Sequence, residues 1–339
     1  MVRESSRRWI AVSAIAAVLA LVAASPASHA RTPAQTEVCG ELTGATVWNA
    51  AESPYSVTCS VQIPADASLT VEPGVEARFG PDLELEVSGT LTINGSSPSD
   101  VVFTSNEGTP AKGDWRGIVI EEGAMADLRG LTVRWAGGRS PAIEAQGNFT
   151  LTDALIENMA STGIEIAEAN AAISNTTIRD GTTDAIVHET NEEGNTLELS
   201  GVTIVDNAGA AVTAEGNVEV FPSDNQVSGN AINGIVVDGS VETEMTWRGG
   251  DMPYVIQRPV SIDAPLTIQP NTWIKSAEGR GLDVGDGGQI ESGAADQPPV
   301  FFTSLGDDRC ADDTGDIDCD TNNDGDTPQT PGSWGTVRV

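Results

Sequence analysis

The feature that most constrains this chain is an internal repeat whose period drifts between 21 and 26 residues. Ile143, Ile164, Ile186, Val212 and Ile235 recur at spacings of 21, 22, 26 and 23, and Val133, Ile156, Ile178, Ile204 and Val227 recur beside them at 23, 22, 26 and 23. Two apolar series that drift together mark stacked coils joined by turns of variable length. The segments that carry them, "GLTVRW", "NTTIRD", "GVTIVD" and "NGIVVD", are rich in Val, Ile and Thr, alternate apolar with polar, and are bounded by Gly, Asn and Asp. That is strand chemistry. A leucine framework or an amphipathic helix, which other solenoids need, is missing from the pattern. The fold class predicted is all-β, a parallel β-helix with coils of about 22–25 residues. About thirteen coils at the inter-strand spacing would give a stack of roughly 60 Å. Asn148, Asn170, Asn195, Asn217 and Ser240 close small-residue turns at spacings of 22, 25, 22 and 23, where side-chain amides are expected to ladder.

A larger duplication brackets the repeat. "WNAAESPYSV" from Trp48 is answered by "WRGGDMPYVI" from Trp247, and "VVFTS" (101–105) by "VFFTS" (300–304), both at an offset of 199. "SLTVEPGVEARF" (68–79) is answered by "PLTIQPNTWIKS" (265–276). "GDWRGIVI" (113–120) is answered by "GSWGTVRV" (332–339) at 219, so the second copy carries about 20 extra residues before its tryptophan. The organisation expected is a leader over 1–30, a first unit over 31–246, and the start of a second unit over 247–339 with an Asp-rich insertion at 307–328. Trp48, Trp115, Trp247 and Trp334 hold matching places and are expected to pack at coil corners. The second copy stops after the strand that in the first copy leads into the coil stack, so the chain is expected to be a fragment or to dock another chain beyond Val339.

The series from Trp48 to Ile120 resembles the right-handed parallel β-helix repeat proteins of bacterial surfaces and secretomes. The resemblance covers nearly all of the chain after residue 30. It implies right-handed coiling and a family that includes adhesin-like surface proteins, and it says little about activity.

The first 30 residues read as an export signal: Arg3, Arg7 and Arg8, then an apolar run from Ile10 to Ala24, then Ser28-His29-Ala30 as the cleavage site. The apolar run is too short to span a membrane, and no later segment is apolar enough. Removing this segment leaves 14 basic and 49 acidic residues, a formal charge of −35. Such a surface repels nucleic acid and anionic membranes and suits divalent cations. Four cysteines in an exported chain suggest disulfides with three connectivities, the sequence-local choice being Cys39 with Cys59 and Cys310 with Cys319.

The insertion carries the one motif with chemistry. Asp320, Asn322, Asp324, Gly325 and Asp326 have the D-x-N-x-D-G-D spacing of a calcium loop, which resembles the first half of an EF-hand, dockerin or thrombospondin type 3 loop. The twelfth position is Pro331, so the closing glutamate is absent; Asp316 and Asp318, with Asp307, Asp308, Asp312 and Asp313, are expected to complete the shell. An acidic solvated loop is the alternative. Pectate lyases share the resembled fold and would need a basic residue near calcium, for which Arg116, Arg134 and Arg179 show no signature. Polygalacturonase-like hydrolysis would need paired carboxylates near a histidine. "GDD" (306–308) is present, but His188, the only histidine after residue 30, reads as a solvated turn residue. The expectation is a non-enzymatic extracellular or cell-surface module, structural or adhesive, with Ca²⁺ as ligand and polysaccharide or cell-surface components as partners. The alternative is a polysaccharide-active or carbohydrate-binding protein.

Overall fold

The computed structural model describes residues 35–190, 194–293, 296–308, 320–325 and 333–338. These form a right-handed parallel β solenoid of about 11 turns, with one 3-10 turn at Ala50–Glu52 as the only helix among the described residues. Thirteen was an overcount. The third coil spends residues on a loop: Leu91 pairs with Ala126, 35 positions on, where Leu69 pairs with Leu91 only 22 on.

Each coil contributes strands to three ladders. The first runs through eight strands from Ala45–Trp48 to Glu219–Ser223 and is followed by a three-stranded sheet from Met245–Trp247 to Gln289–Ser292. The second and third merge into one 19-stranded sheet, because Tyr55–Ile63 is long enough to pair with both Val75–Phe79 and Glu84–Val87. Both apolar series stack as expected. Val133, Ile156, Ile178, Ile204 and Val227 are successive partners in the second ladder, and Ile143, Ile164, Ile186, Val212 and Ile235 in the third. All but the half-buried Val227 lie fully inside the bore. Cys39 and Cys59 form a disulfide; Cys310 and Cys319 lie outside the described residues.

The bends of the second ladder repeat a left-handed backbone. Gly130, Asp153, Asn175, Gly201 and Asp224 precede the strands with φ between 47° and 66°, and Trp135, Asn158, Asp180, Asp206 and Gly229 follow them with φ between 58° and 69°. Asn, Asp and Gly tolerate this conformation best, which explains why they bound the repeated segments. At Gly130 the constraint is also spatial, since a Cβ there would sit 2.5 Å from the backbone of Gly95 in the coil below.

Two kinds of asparagine hold the turns. At the expected positions the amide oxygens accept backbone N–H from the next coil: Asn148 Oδ1 from Asn170 (2.7 Å), Asn170 Oδ1 from Thr196 (2.8 Å), and Asn217 Oδ1 from Glu242 (2.8 Å). Amide-to-amide stacking occurs elsewhere. Asn207 Nδ2 donates to Asn230 Oδ1 (2.8 Å), and Asn230 Nδ2 donates to Asn233 Oδ1 (3.0 Å), all three being buried. Asn207 also accepts from Gly181 N (2.9 Å) and donates to the carbonyls of Ile178 and Val205.

Two expectations are corrected. His188 is not in a solvated turn but in the strand Ile186–Glu189, fully buried, because strand alternation turns it inward with Ile186. Its Nε2 lies 2.9 Å from Ala169 O, and Nδ1 has no hydrogen-bond partner among the described residues. Burial pushes its pKa down to about 4, against smaller upward pulls from Ala169 O and Glu168. Trp334 does not share the burial of Trp48, Trp115 and Trp247; it is 45% exposed. Trp115 stacks on Phe79 at 4.2 Å, whereas the counterpart of Phe79 in the second copy is Ser276, whose hydroxyl accepts from Gly335 N.

The duplicated register sets how the two copies join. Thr36 pairs with Tyr55, Tyr55 with Ala77 and Ala77 with Phe103; Ile235 pairs with Tyr254, Tyr254 with Ile274 and Ile274 with Phe302. The stacked pairs Trp48–Tyr55 and Trp247–Tyr254, both 4.9 Å apart, repeat with it. Ile232–Asp238 therefore has two roles. Toward the N-terminal side it is a third-ladder strand on Ala210–Glu215; toward the C-terminal side it pairs with Tyr254–Ile256, a second-ladder strand of the next copy. The stack shifts by one face at this joint. Gln226–Ser228 consequently pairs with Thr203–Val205 and has no further strand partner among the described strands.

Asn207→Ala is expected to cost about 2–4 kcal/mol, because it strands several buried partners, while Asn170→Ala at an exposed turn is expected to cost about 1 kcal/mol. Urea denaturation of both variants checks this, and equal losses would contradict the buried ladder. His188 predicts a pH dependence. Its folded pKa of about 4 lies below the unfolded value near 6.5, so its stability contribution is full above pH 6.5 and is lost as pH falls towards 4. The total loss is about 3 kcal/mol. Relative to His188→Leu, wild type should lose that amount between pH 7 and 4; parallel pH profiles would refute it.

Candidate functional site

The described part of the insertion folds back onto the joint. Residues 320–325 form a tight loop in which Asp320 Oδ1 accepts from Asp324 N (3.0 Å) and Asp320 Oδ2 from Gly325 N (3.1 Å). Asn323 and Gly325 take left-handed φ of 54° and 69°, which lets the chain turn this sharply. Asn322 Nδ2 donates to Asp324 Oδ2 at 2.9 Å, while Asn322 Oδ1 is a buried atom that accepts no hydrogen bond among the described residues.

The loop brings Asp320 and Asp324 to Asp308, and one carboxylate oxygen from each lies within 4.8 Å of the others. Two ligands of one calcium ion sit at most about 5 Å apart, since each bond is about 2.3–2.6 Å, so the three oxygens are within reach of a single ion. Of the sequence-predicted ligands, Asp308, Asp320 and Asp324 meet here with Asn322 in the same loop, whereas Asp312, Asp313, Asp316, Asp318 and Asp326 lie outside the described residues.

A lysine missed as a site residue lies beneath the carboxylates. Lys275, 1% exposed, donates from Nζ to Asp307 O at 2.7 Å. Burial lowers its pKa, and the negative charges of Asp308, Asp307, Asp320 and Asp324 oppose that shift. Four carboxylates around one ammonium leave a net charge of about −3, which a divalent cation would reduce to about −1. The signal in the sequence was the mismatch with the first copy, where the solvent-facing Arg78 stands at the matching place.

The other candidates are engaged structurally. Arg116 pairs with Glu84 (3.0 Å), Arg179 with Glu157 (2.6 Å), and Arg134 Nε donates to Thr104 Oγ1 (3.1 Å). A shallow groove of about 910 Å³ runs along the first ladder past Met125, Asp127, Thr150, Glu168, Asn170 and Glu198.

Comparison with known proteins agrees with this geometry. Residues 89–246 match the family described as right handed beta helix region, and residues 40–136 match the pectate-lyase like beta helix domain. Over 70 residues, 21% of this chain, it is 33% identical to Protein bark beetle of Drosophila melanogaster. That match spans only 2% of the fly protein's length. No solved structure matches. With its three parallel ladders and these two overlapping matches across 40–246, the chain is a right-handed parallel β-solenoid that carries right-handed and pectate-lyase-like β-helix domains.

Proposed function

We propose that this protein is a non-enzymatic, extracellular or cell-surface β-helix module, structural or adhesive in role, whose second copy is stabilised by calcium. The observation that carries the calcium part is the convergence of Asp308, Asp320 and Asp324 beside the buried oxygen of Asn322, which accepts no hydrogen bond among the described residues. A buried acceptor without a donor costs about 1–3 kcal/mol, which ligation to a cation offsets. The non-enzymatic part is supported by where the reactive groups are spent. The one histidine after residue 30 sits in the core, and the arginines nearest to a lyase base are held by Glu84, Glu157 and Thr104. The Cys39–Cys59 disulfide supports an oxidising, extracellular location. The partners proposed are polysaccharide or cell-surface components.

The second reading, a polysaccharide-active or carbohydrate-binding protein, is favoured by the pectate-lyase-like match over 40–136 together with the groove on the first ladder. Incubation with acidic polysaccharides distinguishes the two: release of an absorbing unsaturated product would establish it.

Calorimetric titration tests the calcium site. Saturable heat is expected below millimolar calcium, and Asp320→Ala/Asp324→Ala should weaken it at least tenfold. At a hundredfold excess over Kd the ion should stabilise the fold by about 2.7 kcal/mol, seen as a rise in Tm. Heat that is absent below millimolar calcium, or unchanged in the double variant, would remove calcium from the proposal.

A further inference from the structure

We propose that the described part of the Asp-rich insertion is a clasp that fastens the second copy onto the last coil of the first, at Asn230 and Asn233 beside the joint. Three independent features converge on this role, and none requires a bound ion.

The first is where the loop docks. Asn233 N donates to Thr321 O (2.7 Å), and Asn233 Nδ2 donates to Asp320 O (3.0 Å) and Asn323 Oδ1 (3.2 Å). Asn323 Nδ2 returns a hydrogen bond to Asn230 O. The buried amide chain Asn207–Asn230–Asn233 is thus extended by a residue about 90 positions away in sequence, and Thr321 is buried in the contact. These contacts lie just past Gln226–Ser228, the strand left without a partner on its far side among the described strands. The residue before that strand is capped by Asp251, whose carboxylate accepts from Asn225 N and Nδ2.

The second is an apolar cluster outside the bore. Ala210, Ile232, Val236 and Val255 are buried together, and Leu305, at the start of the insertion, packs against them. Val236, Val255, Lys275 and Thr303 are successive partners in one outward-facing column. Residues that face outward on a β-helix are normally solvated, so burying Val236, Val255 and Lys275 requires a cover.

The third is the duplication, which supplies an internal control. The matching column in the first copy is Glu37, Ser56, Arg78 and Thr104, and there the chain between "FTS" and Trp115 is about 20 residues shorter. Glu37 is exposed and Arg78 reaches back to Glu76 at 2.9 Å. Ser56 and Thr104 are buried as well, but where the insertion is absent all four positions are polar; where it is present two of the four are buried valines and a third is a buried lysine. Before the first copy, Thr36–Glu41 runs along both halves of Tyr55–Ile63, with no change of ladder among the described strands.

Hydrogen–deuterium exchange of the 31–339 chain tests the clasp, in chelator and again in excess calcium. Two variants are compared with wild type: Asn323→Ala, and a chain in which residues 305–333 are replaced by the nine-residue connection of the first copy, 106–114. The clasp predicts exchange over 229–236 and 253–256 that is several-fold faster in Asn323→Ala and at least tenfold faster in the replacement, with 60–100 unchanged. Unchanged exchange over 229–236 in Asn323→Ala, in both buffers, would overturn it, and this holds even if the replacement chain does not fold. Loss of calcium binding with the exchange difference intact would overturn the calcium proposal alone.

Discussion

Parallel pairing of successive coils is the constraint on which the rest of this structure depends. In-register strands place each residue directly above its counterpart, about 4.8 Å away, so every position of a coil becomes a column. A column must be chemically consistent with itself. Inward columns are aliphatic, bend columns are Gly, Asn or Asp in the left-handed region, and turn columns carry amides that reach the next backbone. Charge obeys the same rule outside. Arg134, Glu157 and Arg179 follow one another with alternating sign, and Arg179 closes on Glu157. Where carboxylates stack instead, as Glu144 and Glu165 do, burial pushes the Glu165 pKa up and the neighbouring Glu189 and Glu144 charges push it further.

The columns also explain why the joint is the unusual region. A duplication that restarts the coil pattern must be fitted to a stack that is already running, and here it is fitted one face out of phase. Hydrogen bonding along Ile232–Asp238 is kept by changing ladders, but the second ladder then ends at Gln226–Ser228. Strand ends of this kind invite unwanted pairing. Asp251 caps Asn225 just before that strand, the 320–325 loop docks on Asn230 and Asn233 just after it, and two of the candidate cation ligands lie in the same loop. Stability of the joint and the chemistry of the insertion are therefore physically coupled through Asn233, Asn323 and Asp320.

Much of the fold was legible because a solenoid writes its contacts into sequence at a short, nearly fixed interval. The two aliphatic series named the strand partners of the second and third ladders residue by residue. Turn asparagines were legible as positions but not as partners, since an amide oxygen can accept equally from a neighbouring amide or a neighbouring backbone N–H. His188 was misplaced because the polar run after it in "IVHETNEEGN" suggested a turn, while strand alternation carried the imidazole inward. The coil count erred because the connection around 106–114 lengthens one coil without adding a rung.

By itself the sequence determined the class of fold, the strand register of the regular coils and the duplication, which are encoded by periodicity along the chain, and it favoured the Cys39–Cys59 pair by proximity. Only the tertiary structure decided that the ladders change face at Ile232–Asp238, that Asp308 joins Asp320 and Asp324, and that Lys275 lies beneath them. Those features depend on contacts between residues up to about 90 positions apart with no repeat to relate them. A periodic pattern predicts what stacks on its own kind; it carries no information about where an inserted loop, free of the period, comes to rest.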